Sequence, residues 1–335
     1  MEQYINNVVD ILKEYKGFYF PVLNAHGVLE EAHLRSHVLT WLNQFEESER
    51  GTLIRLTSNL LTKRFIKENK EQEFISNVLN TNPIRVAANV ALPLSVQQDG
   101  ESQRVMAEFY SQLVDRYGYN YDDSKFVYLD DFMFSGRRVF SDLSVFITSL
   151  RQSVTIYVAV LGWHNYGQWY YRELLQQKIN AHNREFNLKV KVEWFYSCSD
   201  SLLENRKTYN YKSDILWPME DTFNSEDLLP FKIHNYNYRN GFEANSTFDN
   251  NTDRMFLERI CLKYGYKIMD RCNRVNPTTK PLGNSLFDYG FGGLVFNYRN
   301  CPNNTPLIFW WGSNDPNNTI MYNQWYPLMP RRTYG

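Results

Sequence analysis

The 335-residue sequence predicts an α/β fold, a mainly parallel sheet flanked by helices on a Rossmann-like plan. Three observations predict it. An apolar run, Phe126, Val127, Tyr128 and Leu129, leads into Asp130 and Asp131; a short loop, Ser135 and Gly136 follow, and then a helix from about Val139. The segment VTIYVAVLGW, residues 154–163, is almost continuously apolar, as suits a strand buried on both faces of a parallel sheet. In LKVKVEWF, residues 188–195, Leu188, Val190, Val192 and Trp194 alternate with Lys189, Lys191 and Glu193, the pattern of an edge strand with one wetter face. Strand, helix, strand, helix, strand at these lengths is the order of βαβ units.

The other elements follow from periodicity. Ile5, Val8, Val9, Leu12 and Tyr15 repeat at helical spacing, as do Leu34, Val38, Trp41 and Phe45, and Leu53, Leu56, Leu60 and Leu61. These are core faces of an N-terminal helical region over 1–80. His33 and His37 stand four apart there, a spacing that can bind a metal, although no H-E-x-x-H pattern accompanies them. Asn80-Thr81-Asn82-Pro83 breaks the region, and 84–94 reads as a strand entering a loop. A helix over 101–117 feeds the strand at Phe126. Past the two acids, Val139, Leu143, Phe146, Ile147 and Leu150 make an amphipathic helix, and another spans 166–181. This α/β core is expected to occupy 81–235. From 236 to 335 an extension rich in Asn and aromatics packs on it, with one helix over 252–264.

Composition excludes several classes. The net charge is −1, so no global basic field holds nucleic acid. The four cysteines, Cys198, Cys261, Cys272 and Cys301, form no C-x-x-C pair, which argues against a zinc site. No apolar run at the start is long enough for a signal peptide or a membrane span, so a cytoplasmic protein without a membrane partner is expected.

The candidate site lies where the first two strands end, the edge at which open α/β sheets bind ligands. Asp130 and Asp131 can hold a ribose diol or a metal ion, and strand alternation sends them to opposite sides. Ser135 and Gly136 let backbone N–H groups approach a phosphate at a helix N-terminus. Arg137 and Arg138 add charge, an unfavourable placement at a helix start unless an anion is bound there. Trp163 and His164 follow the second strand; His164 is either an acid/base or base-binding group, or part of a polar loop. Trp310, Trp311, Trp325 and Tyr326 either stack a base or pack the tail onto the α/β core, and Arg331 and Arg332 reach either a phosphate or a surface carboxylate.

The stretch VYLDDFMFSG, 128–136 with its preceding valine, resembles the 5-phosphoribosyl-1-diphosphate (PRPP) loop of type I phosphoribosyltransferases. The acids match at Asp130 and Asp131, the hydroxyl at Ser135 and the glycine at Gly136. Phe134 and Arg138 depart from the pattern, which often has Asp or Thr before the Ser-Gly pair and Thr two residues after the glycine. With the tail motifs NCPNNTP and WYPLMPRR, the chain resembles the phosphoribosyltransferase-like (PRTase-CE type) effectors of bacterial conflict and anti-phage systems, some encoded beside retron reverse transcriptases. The resemblance implies a type I phosphoribosyltransferase-like fold. It implies Asp130 and Asp131 as catalytic residues and as ligands of Mg2+, and Ser135, Gly136, Arg137 and Arg138 as the phosphate cradle. Phe134, Trp163 and His164 are then base-binding or auxiliary groups. The expected ligand is PRPP or a nucleotide, and the expected partner a reverse transcriptase or another operon-encoded defence protein with its nucleic acid, in an oligomer. Two activities stay open. One is an enzyme acting on a ribose-phosphate centre of PRPP, a nucleotide or a nucleic-acid end; the other is a non-catalytic sensor of nucleotide or PRPP that signals through partners.

Overall fold

The computed structural model describes the chain except residues 19–21, 24–28, 97–100, 196–199, 203–212, 245–246, 273–275 and 332–335, and except the side chains of 101 and 200–202. The chain divides into two units. One joins Met1–Lys67 to Glu204–Gly335, and the other is the continuous segment Glu68–Leu203. This division differs from the three consecutive regions 1–80, 81–235 and 236–335. The cause is pairing between distant segments, which periodicity does not report.

The first unit contains α1 (Glu2–Leu12), α2 (Glu31–Leu42), α3 (Glu47–Arg64) and the two-residue β1 (Phe65–Ile66). The core stripes of these helices close on residues from the C-terminal third of the chain. Phe45 packs edge-on against Tyr264 and Trp325, with ring centroids 4.6 and 5.4 Å apart. The indole N–H groups of Trp41 and Trp325 both donate to the Ile308 carbonyl, at 2.8 and 2.9 Å. The aromatic tail thus builds a core with the N-terminal helices, where packing on the α/β sheet was expected. Phe65 of β1 pairs in parallel with Phe296.

His37 belongs to this core. Its Nε2 lies 2.7 Å from the Leu328 carbonyl, to which it donates, and its Nδ1 lies 2.9 Å from the Tyr326 hydroxyl. Burial pushes its pKa down to about 4, although the Leu328 carbonyl favours the protonated ring. His33 is exposed beside Glu30, so the two histidines do not form a metal site. The folded His37 pKa lies below the unfolded value of 6.5, so its contribution to stability is complete above pH 6.5 and is lost as pH falls towards 4. At pH 5 the expected loss is about 2 kcal/mol relative to pH 7.5. Urea unfolding at both pH values checks it; the same loss in His37→Asn would place the cause elsewhere.

The second unit runs α4 (Glu68–Asn80), β2 (Arg85–Val86), β3 (Asn89–Pro93), α5 (Glu101–Tyr117), β4 (Asn120–Met133), α6 (Arg137–Ser149), β5 (Thr155–His164), α7 (Asn165–Phe186), β6 (Lys191–Trp194) and β7 (Asp200–Leu202). The sheet order is β2-β3-β4-β5-β6, parallel except for the β2-β3 pair. β6 pairs with the first half of β5 and β7 with its last three residues. The fold is therefore the predicted α/β plan, a mostly parallel sheet flanked by helices. Tyr128, Ile156, Val158 and Val160 pack with Val139, Leu143 and Ile147 of α6 and Leu175 and Ile179 of α7. Val127 and Leu129 are equally buried and point the other way, where α4 and α5 pack. Both faces are covered, which explains the continuous apolar run of β5.

β4 is longer than the sequence suggests at both ends. Between Ala91 and Leu92 its pairing with β3 jumps from Asp122 to Phe126. The extra residues bulge out, with Ser124 Oγ and N–H both bonded to Asp122 Oδ1. At the far end the strand continues through Phe132 and Met133, which pair with Gly162 and Trp163.

Candidate functional site

The C-terminal edge of the sheet carries the candidate residues. Asp130 lies inside β4, where a solvated strand end was expected. It is buried, at 7 % exposure. Its Oδ1 accepts from Ser102 Oγ of α5 at 3.0 Å and from the Asp131 N–H at 2.9 Å. The Tyr128 hydroxyl lies 3.3 Å from Oδ2 and 2.9 Å from Asp142 Oδ2. Tyr128 thereby links the strand acid to α6, and Asp142 serves that link in addition to standing in the first turns of α6. Asp131 is half-buried, and its Oδ1 accepts from the Phe132 N–H at 2.7 Å.

As a chelating pair the two acids do not fit a metal ion. They leave the strand in opposite directions, and Asp130 Oδ1 already accepts from two protein donors. Among the described residues no three His, Cys, Asp or Glu side chains group as a metal site.

The turn after β4 brings Ser135 to the surface and leaves Gly136 buried at the start of α6. Gly136 has φ +84°, a left-handed conformation that favours glycine. The α6 N-terminus has no side-chain cap on Gly136 and no acid in its first turn. Ser135 Oγ accepts weakly from the Arg137 N–H, at 3.4 Å. Arg137 and Arg138 are exposed, and among the described residues neither has an ion-pair partner. A positive helix end therefore carries two further positive charges, which repel it and each other unless an anion is present.

A second glycine, which sequence reasoning passed over, shapes this turn. β5 runs directly into α7, and Gly167 in the first turn of α7 backs onto the loop after β4. A Cβ on Gly167 would stand 2.2 Å from the Phe134 carbonyl oxygen and 2.9 Å from that of Ser135. A Cβ on Gly136 would stand 2.8 Å from the Gly167 carbonyl oxygen and 2.5 Å from Met133 Cε. The two backbones pack without side chains between them. Gly136 thus serves packing directly, in addition to the close ligand approach inferred for it. The only local signal for Gly167 was a glycine early in a helical pattern.

The auxiliary residues are mostly internal. Phe134 is buried and its ring lies 4.6 Å from that of Phe132. Trp163 is buried and its indole donates to Asn165 Oδ1 at 3.0 Å. His164 is buried and caps α7, its Nδ1 accepting from the Gly167 N–H at 3.4 Å. Capping requires Nδ1 to be unprotonated, which sets His164 apart from an open acid/base group. In the other unit Arg331 donates to the Cys301 carbonyl and covers the Trp310 ring at 6.0 Å; Arg332 lies outside the described residues.

A parallel α/β sheet, an acid pair on its central strand and a Ser-Gly turn entering an uncapped helix define a phosphoribosyltransferase-like domain. The chain belongs to the PRTase-CE family, whose model matches residues 38–331. No curated protein and no solved structure gives a significant match. No helix among the described residues is long and apolar enough to cross a membrane.

Proposed function

We propose that this protein engages a ribose 5′-phosphate, as part of PRPP, a nucleotide or a nucleic-acid end, and acts as an effector in bacterial anti-phage defence. The observation that carries the binding reading is the α6 N-terminus, open, without an acid in its first turn and carrying two arginines that have no ion-pair partner among the described residues. The phosphate rests on the N–H groups of 135–138, and Arg137 and Arg138 close on its oxygens. Asp131, on the same strand, faces the ribose hydroxyls, while Asp130 holds the strand end to α5 and α6. Mg2+, if required, enters with the phosphates of the ligand. In the enzymatic form of the proposal the bond from ribose C1 to its leaving group, pyrophosphate or a base, breaks with the electron pair departing on that group. An incoming nucleophile forms the new bond at C1, and the Asp131 carboxylate stabilises the positive charge that develops there. The defence role and a reverse-transcriptase partner rest on the family resemblance alone.

A second reading is favoured by Asp130 and Phe134. The acid is engaged by protein donors, and a buried phenyl ring stands where many of the resembled enzymes have a polar group. A site of this kind can hold a nucleotide as a signal without turning it over.

Calorimetry with PRPP and nucleoside monophosphates, with product analysis by mass spectrometry in Mg2+ buffer, tests both. Arg137→Glu combined with Arg138→Glu is expected to weaken binding at least about tenfold and to leave thermal melting unlowered or slightly raised, because both side chains are exposed and acids suit a helix N-terminus better than arginines. Equal affinity in the double variant would remove the phosphate from this helix end. New products mark an enzyme, and binding without products marks the sensor.

A further inference from the structure

The helix that backs onto the candidate turn displays an aromatic stripe to solvent. Tyr166, Trp169 and Tyr170 of α7 are 40 %, 56 % and 43 % exposed. They occupy positions i, i+3 and i+4, one face of the helix. The rings adjoin one another: Tyr166 and Tyr170 are 6.3 Å apart with nearly parallel planes at 16°, and Tyr166 lies 5.8 Å from Trp169. Gly167, inside the stripe but on the buried side, is the residue in backbone contact with Phe134 and Ser135. Tyr171, next in the chain, lies against Gly136 and stacks obliquely on Phe140 of α6 at 5.4 Å. The stripe thus begins one residue before the glycine that contacts the turn, so the start of α7 lies beside the turn that presents Arg137 and Arg138.

We infer that this stripe is a stacking platform for the bases of single-stranded nucleic acid. Three considerations commit the surface to that occupant. The rings are Tyr and Trp, whose π faces stack on any base. The charge at the helix starts is of the sign a polyanion needs: neither α6 nor α7 has an acid in its first turn, and both helices start beside the arginine pair, so a strand is held at the Tyr166 end of the stripe, away from the exposed Glu173 one turn on. Three contiguous rings also offer more area than one base covers, which favours a strand over a mononucleotide. The local surface thus departs from the near-neutral charge of the whole chain, which argued only against a global nucleic-acid field. The inference deepens the ribose-phosphate reading by naming a strand as the substrate class, and rests on that reading for what the turn does once the strand is held.

Fluorescence anisotropy of a labelled 12-nucleotide oligo(dT), titrated with the full-length protein, is the test. The wild type is expected to bind, and more weakly as salt rises. Trp169→Ala with Tyr170→Ala is expected to weaken binding about tenfold or more, while Trp169→Phe with Tyr170→Phe retains most of it. Ile320→Ala, at an exposed apolar position of the other unit, should change nothing. Thymidine monophosphate in competition should be much the weaker ligand. Absent oligo(dT) binding, equal binding by the alanine variant, or a mononucleotide that competes as well as the strand overturns the inference. A parallel PRPP titration separates the two readings: a protein that holds oligo(dT) through the stripe but ignores PRPP keeps the platform and loses the phosphoribosyl site.

Discussion

Replacing Glu258 by Gln is expected to destabilise the first unit by about 3–5 kcal/mol, the usual cost of breaking a buried ion pair from one side. Glu258 lies on the helix Asn251–Asp270, α8, and its side chain is fully buried between those of Arg254 and Arg239. Oε1 accepts from Arg254 Nε at 2.9 Å and from the Trp217 N–H at 3.2 Å, and Oε2 from Arg239 Nη2 at 3.1 Å. The guanidiniums spend their other donors mainly on backbone, and Arg239 Nη1 also donates to Asn251 Oδ1 at 3.2 Å. Arg254 bonds the carbonyls of Ser213 and Ile215, and Arg239 those of Trp217 and Gly241. One carboxylate thus pins two segments of irregular chain and is in direct contact with both cations, while the buried Asp214 adds a further negative charge near Arg254. Burial pushes the Arg254 pKa down to about 10 against the opposing pull of the Glu258 carboxylate, and removing that carboxylate leaves two buried guanidinium groups without it. Denaturant unfolding gives the number. A loss under about 1 kcal/mol would show that the irregular chain of residues 213–241 is held by packing alone.

Gly167→Ala is expected to destabilise the second unit by about 1–3 kcal/mol and to weaken ribose-phosphate binding. In an exposed helix the same change is favourable by about 1 kcal/mol, because alanine loses less chain entropy. Here the added methyl meets backbone atoms of Phe134 and Ser135, which cannot rotate away. The helix or the turn must shift, and the turn carries the proposed phosphate N–H groups. Gly51→Ala in α3 is the control. Its Cβ would meet only Met1 Cε at 3.7 Å, so that variant should be neutral or more stable. Melting of both proteins, with calorimetry of Gly167→Ala, distinguishes a local clash from general sensitivity to substitution.

The sheet was legible because its strands are uniformly apolar or strictly alternating and its helices follow at short intervals. α5 matches the expected 101–117. The first part of β4 was not legible, because Asp122, Asp123 and Ser124 interrupt the apolar pattern of the strand with a bulge. The joining of the two chain ends was hidden for a different reason. Pairing of Phe65 with Phe296 and bonding of His37 to Leu328 leave no periodic trace in either segment. At the site, the order strand, acids, Ser-Gly, helix was readable, since each part has its own residue type. The burial of Asp130 was not, because it depends on Ser102 and Tyr128 arriving from other positions in the fold. Nor was the exposure of Tyr166, Trp169 and Tyr170: an aromatic residue in a helix reads as core until its neighbours are known.

The central claim is that a ribose phosphate rests on the N-terminus of α6. Backbone amide spectra of the isotope-labelled protein, titrated with PRPP in Mg2+ buffer, test it most directly. The account predicts saturable shifts concentrated at the amides of Ser135, Gly136, Arg137 and Arg138, abolished when Arg137 and Arg138 are both replaced by Glu. Binding that leaves these four amides in place while shifting residues of the other unit would contradict it.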